Sequence, residues 1–460
     1  MTWQKIDSYN APSLTEFVSS NHMRDDIVIV GGGLAGSEAA WQAANRGAKV
    51  TLYEMRPKEM TKAHKTGGLA ELVCSNSLGS ADPLNAPGIL KEEMRRLNSL
   101  VIAAAEQARV PAGSALAVDR DQFSSHITRA LQGHPQIRIL HEEAADIPID
   151  CLCIIATGPL TSDKLSQAIR AVTQSRHLYF YDAISPIVDT ESINMDVVFR
   201  ASRYDKGGDD YLNCPMTEAE YNAFYDALMA AEKVQPKEFE KTPYFEACVP
   251  IEVLAERGRR TMQFGPLKPV GLKNPRTGSE SAAVVQLRTE NVHRTCYNLV
   301  GFQTKLTYPE QKRVFRMIPG LEQAEFLRYG SLHRNTFINS PQLLLNTLQF
   351  KARGTLFFAG QLVGVEGYTE SAAMGGLAGI NAARTLTGQP AITPPPTTAH
   401  GCLITHVASS DPRHFQPMNT NFGLFPPLSN PPKDKEKKRL AMSRRALEDF
   451  DSWKMRSRLS

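Results

Sequence analysis

One βαβ pattern near the start constrains this chain more than any other feature. Asp26–Val30 (DIVIV) is an apolar, β-branched run, and Gly31-Gly32-Gly33-Leu34-Ala35-Gly36 follows at once. The Ala-rich stretch Ser37–Arg46 fits a helix, and Lys49–Tyr53 (KVTLY) is a second strand closed by Glu54. Strand, glycine turn, helix, strand and acid in that order form a dinucleotide-binding fingerprint. The glycines have separate tasks: Gly31 permits the tight turn, Gly33 lets the backbone approach a pyrophosphate, and Gly36 lets helix and strand pack closely. The phosphates then sit on the N–H groups of the helix start. Glu54 stands where a carboxylate accepts from a ribose hydroxyl. The cofactor-binding residues expected here are therefore Gly31, Gly32, Gly33, Leu34, Ala35, Gly36 and Glu54. A glycine-rich loop in some other α/β turn is the bland alternative, and it leaves Glu54 unexplained.

At 460 residues the chain can hold two or three domains' worth of core. An apolar fraction of 42% and a charged fraction of 22% are ordinary for a globular protein. No run approaches the ~18 apolar residues of a membrane span. The polar start MTWQKIDSYNAPSLTEF lacks a signal-peptide stretch. A cytoplasmic location and no membrane partner are expected. The net charge of +4 permits a polyanionic partner without requiring one. The seven cysteines are odd in number and irregular in spacing, which argues against a disulfide framework. No cysteine–histidine spacing suits zinc, and no metal is expected. Cys151 and Cys153, in the strand-like run CLCII, share one face as small apolar residues.

The pattern divides the chain into an N-terminal arm (1–25), a first part of a cofactor domain (26–180), an inserted α+β domain (181–319), a second part of the cofactor domain (320–430) and a charged tail (431–460). The long Gly-, Ser-, Asn- and Pro-rich stretch from Arg56 to Pro87 is expected to be a functional loop. Ile89–Ala108 has helical spacing, and Leu152–Ile155 runs into the small-residue turn Ala156-Thr157-Gly158. Between 181 and 319, strand-like pieces (LYFYDAISPIV, MDVVFRAS, AAVVQL, YNLVGF) alternate with helical ones (Thr217–Lys233, Pro309–Met317). A second signature starts at Leu356–Ala359: a strand, then Gly360, Gly364 and Gly367, then the small-residue helix Ser371–Arg384. A helix start at that place sets its positive dipole near a flavin's pyrimidine edge. The expected fold is α/β: a Rossmann-type FAD-binding domain of the two-dinucleotide-binding type, carrying an inserted α+β domain. Gly360, Gly364 and Gly367 join the expected cofactor contacts. After Pro394-Pro395-Pro396 the pattern turns loop-like, and Lys433–Ser460 reads as a solvated helical tail.

Two cysteines sit in unusual surroundings. Cys74 lies in ELVCSNS within the long polar loop, and Cys248 lies in YFEACVPIE just before Arg257, Arg259 and Arg260. A thiol reacts as thiolate and needs a cation, a base or a helix start nearby. Composition alone favours an inert buried cysteine in each case. Cys214, in Asn213-Cys214-Pro215, is a third candidate in what reads as a proline-stiffened turn.

Longer runs carry a resemblance. GGGLAGSEAA, LVCSNSL, GILKEEMR, YLNCPM, FEACVPIE, FGPLKPVGL, YNLVGFQTKLTYPEQKRVFRMIPGLE, LHRNTFINSP and LFFAGQLVGVEGYTESAAMGGLAGINAA span residues from about 26 to 425. Together they resemble the bacterial folate- and FAD-dependent tRNA uracil-5-methyltransferases, relatives of the larger wobble-uridine modification flavoproteins. GGG replaces the more usual GAG and keeps every required glycine. For the N-terminal arm the resemblance gives no role.

The resemblance implies FAD, reduced by NADH or NADPH, with methylenetetrahydrofolate as carbon donor and tRNA as partner. The acceptor is C5 of the thymine-loop uridine (position 54) of tRNA. It implies Cys248 as nucleophile and Cys74 as its partner in proton handling or thiol protection. Carbon and hydride must both pass over short distances, so the pterin is expected to stack on the flavin. Leu332-His333-Arg334-Asn335 is a candidate wall for that site, with His333 and Arg334 as folate contacts. Oligomeric state is open. Competing readings are the same chemistry on a ribosomal RNA uridine, an NAD(P)H-dependent flavin oxidoreductase acting on a small molecule, and a non-catalytic RNA-binding flavoprotein. The last two have no need of Cys248. Arg257, Arg259 and Arg260, and the Lys433–Arg445 run, are the candidate RNA-facing cations.

Overall fold

Apolar runs buried on both faces make the centre of a parallel sheet, and this chain supplies two, Leu152–Ile155 and Asp26–Val30, flanked by the less buried Lys49–Tyr53 and Ile137–Leu140. The computed structural model describes residues 26–61, 63–174, 178–205, 208–234, 249–291, 294–413 and 415–459, with backbone only at 178–184 and 331–335. The sheet runs in the order Gln349–Phe350, Arg353–Phe358, Leu152–Ile155, Asp26–Val30, Lys49–Tyr53, Ile137–Leu140. Only its outermost pair, Gln349–Phe350 with Arg353–Phe358, is antiparallel. Val30 pairs with Tyr53 on one side and Ile155 on the other. The register therefore brings Gly31, Glu54, Ala156 and Ala359 to one edge, at the carboxyl ends of the strands. Ligands bind at that edge in such sheets.

The helices Leu34–Ala44 and Tyr368–Leu386 pack on each other along a seam without side chains. A Cβ at Gly375 would overlap the carbonyl of Ala35, and one at Gly379 the carbonyl of Ala39. Two glycines one turn apart thus face two alanines one turn apart. The sequence showed a small-residue helix, and this close approach is the reason for it. Gly379→Ala separates two opposed effects. Helix propensity alone favours alanine by about 1 kcal/mol, whereas backbone overlap in a packed seam costs roughly 1–3 kcal/mol. The expected outcome is a lower denaturation midpoint in urea, and a higher one would mean that the seam is looser than this.

The inserted unit has its own antiparallel sheet, in the order Phe199–Arg200, Tyr211–Met216, Ala283–Thr289, Cys296–Leu299, Ile187–Asp189, Phe326–Arg328. The helices Glu218–Ala230, Ile251–Glu256 and Tyr308–Phe315 share its core, built on residues such as Leu212, Phe224, Leu287, Phe302 and Phe315. An antiparallel ribbon, Leu178–Ile184 against Ser331–Phe337, leads into and out of it. The sheet's last strand lies beyond residue 319.

Four local readings need correction. Asn213-Cys214-Pro215 is not a turn but part of the strand Tyr211–Met216. Its neighbour Phe199–Arg200 pairs only as far as Asn213, so Pro215 sits where that side of the ladder has ended. Ile89–Ala108 is two helices, Ala86–Arg96 and Leu100–Gln107, separated by Asn98 at φ 57° and capped anew by Ser99, whose Oγ accepts from the Ile102 N–H (3.2 Å). The segment after the three prolines is a helix, Ala399–Ser409. Thr398 Oγ1 accepts from the Gly401 N–H (2.9 Å), and buried Glu93 accepts from the Ala399 N–H (2.7 Å), the His400 N–H (2.9 Å) and His400 Nδ1 (2.8 Å). Finally, Lys435–Arg456 is a docked helix rather than a solvated tail. Met442, Ala446, Phe450 and Trp453 are buried, and Phe450 stacks on His400 at 5.4 Å. Their spacing is a helical stripe, hidden in the sequence by the charges around it. Among the described residues no helix is long and apolar enough to cross a membrane.

Candidate functional site

A cleft open to solvent runs along the carboxyl edge of the parallel sheet. Of the expected cofactor residues, Gly31, Gly33, Leu34, Ala35 and Glu54 line it. The other glycines shape it by letting chain segments close on one another. A Cβ at Gly36 would overlap the Gly31 carbonyl, and one at Gly32 would lie 2.9 Å from Glu54 Oε2. Gly31 has φ 104°, and its Cβ would lie 2.7 Å from the Ala156 carbonyl oxygen. Gly33 differs: a Cβ there meets nothing within 4 Å. It stands at the N-cap of Leu34–Ala44, where the first turn's N–H groups lack intrahelical acceptors. This is a cradle that a side chain would fill, and it fits a diphosphate.

In the second signature Gly360 closes on Ala35, Gly364 on the Phe415 ring, and Gly367 on its own helix residue Glu370. The residues that reach the cleft from this segment are Gln361, Tyr368 and Ser371.

Glu54 is buried, and its oxygens are already engaged. They accept from the Gly32 N–H (2.9 Å), the Arg56 N–H (3.0 Å), Arg56 Nε (2.9 Å) and Arg56 Nη2 (3.1 Å). A ribose hydroxyl placed at Glu54 would therefore have to share an oxygen with these donors. Arg56 is itself 1% exposed and also pairs with Glu71 (3.1 Å). Burial pushes the Glu54 pKa upward, but the Arg56 hydrogen bonds and charge and the Gly32 N–H outweigh it and hold the carboxyl below its ordinary value. Beside them, burial and then the Arg56 charge push His64 down to about 4, so it is neutral at neutral pH.

Cys74 is half-buried in the loop between the cleft and the inserted unit. Its N–H donates to Tyr368 Oη (2.7 Å), and its carbonyl accepts from Arg120 Nη2 (2.8 Å). Arg120 also donates to the Leu72 carbonyl and pairs with Glu290 (2.6 Å). Arg328 donates to the Val73 carbonyl. Arg288 Nε donates to Asn76 Oδ1 (3.0 Å), while Asn76 Nδ2 donates to the carbonyls of Val118 (3.0 Å) and Thr289 (2.9 Å). Three arginines thus hold the loop, two of them from the inserted sheet. Burial pushes the pKa values of Arg288 and Arg328 down, and Glu290 draws that of Arg120 up against its burial. Sequence reasoning missed all three. The partners are 46 to 255 positions from the residues they hold, so no local pattern could have marked them.

Cys248 lies outside the described residues. Its described flanks are anchored to one stretch: the Val234 N–H donates to the Lys305 carbonyl and the Ile251 N–H to the Gln303 carbonyl, each at 2.7 Å. His333 and Arg334 lie on the ribbon opposite Asp182 and Tyr181; their side chains are not among those described. Of the sequence-stretch arginines, Arg259 is drawn to Asn222 (3.0 Å), to Asp226 and over the Tyr225 ring (4.2 Å). Arg260 lies 5.8 Å from the Phe264 ring centroid. Cys151, Cys153, Cys214 and Cys402 are buried. Burial pushes the thiols of Cys153, Cys214 and Cys402 up, and that of half-buried Cys296 to about 11.

The family model described as glucose inhibited division protein A matches residues 26–390. The methylenetetrahydrofolate--tRNA-(uracil-5-)-methyltransferase TrmFO of Geobacter sulfurreducens is 58% identical over 432 residues, covering 94% of this chain and 99% of that protein. The protein of the same name from Brevibacillus brevis is 58% identical over 427 residues, covering 93% and 98%. Among solved structures, Aquifex aeolicus GidA shares the fold, with a TM-score of 0.66 at 17% identity, covering 94% of this chain and 75% of that one.

Proposed function

The chain belongs to the glucose inhibited division protein A family, and we propose that within it this protein methylates C5 of a uridine in tRNA with carbon from methylenetetrahydrofolate. The cleft lined by Gly33, Leu34, Ala35 and Glu54 would hold FAD, which would supply the hydride that completes the methyl group, with NADH or NADPH as reductant. The observation that carries this reading is the double role of Tyr368. Its side chain lines the cofactor cleft and accepts the N–H of Cys74, so the reactive loop and the cleft share one wall.

The residues divide the work. The turn at Gly33 and the first turn of Leu34–Ala44 take the diphosphate, with Glu54 and Arg56 setting the Gly32 backbone and the ribose end. Uracil C5 is a poor nucleophile. A thiolate at Cys248 adds to C6 and moves the electron pair toward C5 and O4. C5 takes the methylene of the folate and loses its proton to a base, and tetrahydrofolate leaves. Hydride then adds to the exocyclic methylene as the thiolate departs from C6. Cys74 handles the proton or guards the nucleophile, on a loop that Tyr368, Arg120 and Arg328 keep in place. His333 and Arg334, on the ribbon between the two units, are the proposed folate contacts. The target is the thymine-loop uridine at position 54, and the enzyme works in the cytoplasm.

The experiment is direct. Purified protein, unmodified tRNA, labelled methylenetetrahydrofolate and NAD(P)H should give label on C5 of the thymine-loop uridine. Label confined to a ribosomal RNA fragment would move the target. Nicotinamide consumption with no label on any RNA would favour the oxidoreductase reading.

A further inference from the structure

Tyr308, Tyr329 and Phe326 form a stack of nearly parallel rings on the inserted unit. Centroids are 4.8 Å apart at 17° between Tyr308 and Tyr329, and 5.3 Å apart at 15° between Tyr329 and Phe326. Some interior aromatic pairs cross instead, at 80° for Phe302–Phe315 and 46° for Phe450–Trp453, and even the buried His400–Phe450 stack is tilted by 28°. The stack is not built to fill a core, because Tyr308 is 57% exposed at its outer end. It is nevertheless held firmly from beneath. Gln311 is fully buried; its Nε2 donates to the carbonyls of Leu306 (2.8 Å) and Gly330 (2.9 Å), and its Oε1 accepts from the Gly330 N–H (2.7 Å). That amide ties the chain just before Tyr308 to the chain just after Tyr329.

The stack also lies next in sequence to residues that hold the Cys74 loop and the described flanks of the Cys248 segment. Arg328, the neighbour of Tyr329, reaches the Val73 carbonyl next to Cys74. Lys305 and Gln303, just ahead of Tyr308, anchor both described flanks of the segment that contains Cys248. An exposed, pre-aligned aromatic face at that place has a specific use. Drawing a uridine out of an RNA loop costs the stacking energy of its neighbours. An aromatic ring can replace that stacking for any base, because every base has a flat π face. Lys312, exposed on the same helix, adds a cation for the backbone.

We propose that Tyr308, backed by Tyr329 and Phe326, is the stacking surface for a base of the RNA substrate that neighbours the modified uridine. The inference rests on the RNA methyltransferase reading. Its test uses the holoenzyme and three variants, Tyr308→Ala, Tyr308→Leu and Tyr308→Trp. Each is compared with wild type for affinity to unmodified tRNA, KM for methylenetetrahydrofolate and flavin content. Alanine and leucine are expected to weaken tRNA binding roughly tenfold to a hundredfold, the scale of one lost base stack. Tryptophan is expected to restore it, and folate KM and flavin content should not move in any variant. Unchanged tRNA affinity in Tyr308→Ala overturns the inference, as does full affinity in Tyr308→Leu, which keeps bulk but no π face. A raised folate KM with unchanged tRNA affinity would assign the ring to the pterin or its aminobenzoyl group instead. A wild-type protein that labels no RNA overturns the methyltransferase reading itself, an outcome separate from all of these.

Discussion

Gly33→Val is expected to fold normally and to purify colourless. The reason lies in how the glycines of the first turn differ. At Gly31, Gly32 and Gly36 an added Cβ meets the protein's own atoms, so substitution there disturbs the turn itself. At Gly33 it meets nothing within 4 Å. The backbone at Gly33, φ −74° and ψ −169°, is extended and suits a β-branched residue, so valine brings no strain. The added side chain starts in open space at the cleft, where the diphosphate is expected. Filling the cradle should weaken FAD binding by roughly a hundredfold or more, about 3 kcal/mol at the upper end of overpacking costs. The flavin-to-protein absorbance ratio after purification reads the first effect, and far-UV circular dichroism reads the fold. Stoichiometric flavin in a folded Gly33→Val protein would place the diphosphate elsewhere. Gly36→Ala is the control: it should cost stability with or without flavin.

The first turn was legible because its information is local. Strand, glycines, helix, strand and acid follow one another within thirty residues, and each imposes a backbone requirement that the sequence displays. The strand–turn–helix order of the second signature was legible for the same reason, but its glycines close on Ala35, Phe415 and Glu370 instead of lining the cleft; the core role of the CLCII strand was also legible. The site around Cys74 was not. Its arginines come from a helix, from a central strand of the inserted sheet and from an edge strand of that sheet, and only the tertiary fold joins them. Glu54 is an intermediate case. The acid was visible, but its saturation by Arg56 two residues on depends on how the chain folds back over the side chain. The docked C-terminal helix shows a third kind of loss. Its buried Met442, Ala446, Phe450 and Trp453 follow helical spacing, but Lys and Arg dominate the composition around them and mask the stripe.

Cys74→Ala and Cys248→Ala are each expected to keep FAD and to lose methyl transfer, Cys248→Ala by roughly 10⁴-fold or more, as for removal of a nucleophile. The sharper expectation is that the two thiols share one site. Cys74 is fixed beside the cleft through Tyr368, and the same loop is tied through Arg328 to the inserted sheet. The flanks of the Cys248 segment are pinned to residues 303–305 of that same inserted unit. A uracil ring is only a few ångströms across, so a nucleophile at C6 and a helper near C5 must approach to within roughly 10 Å of each other. A short bifunctional thiol reagent can test this with little interference. Cys151, Cys153, Cys214 and Cys402 are buried, which leaves half-buried Cys296 as the described competitor, and Cys296→Ser removes it. In that background the reagent should join the Cys74 and Cys248 peptides, and bound tRNA should protect both. If each thiol is alkylated singly while the bridge never forms, with or without folate and RNA, the shared-site mechanism fails. Full activity in Cys248→Ala would be a different failure: it would mean that the nucleophile was misassigned, and Cys74, next to the cleft-lining Val73, would become the first residue to examine in its place.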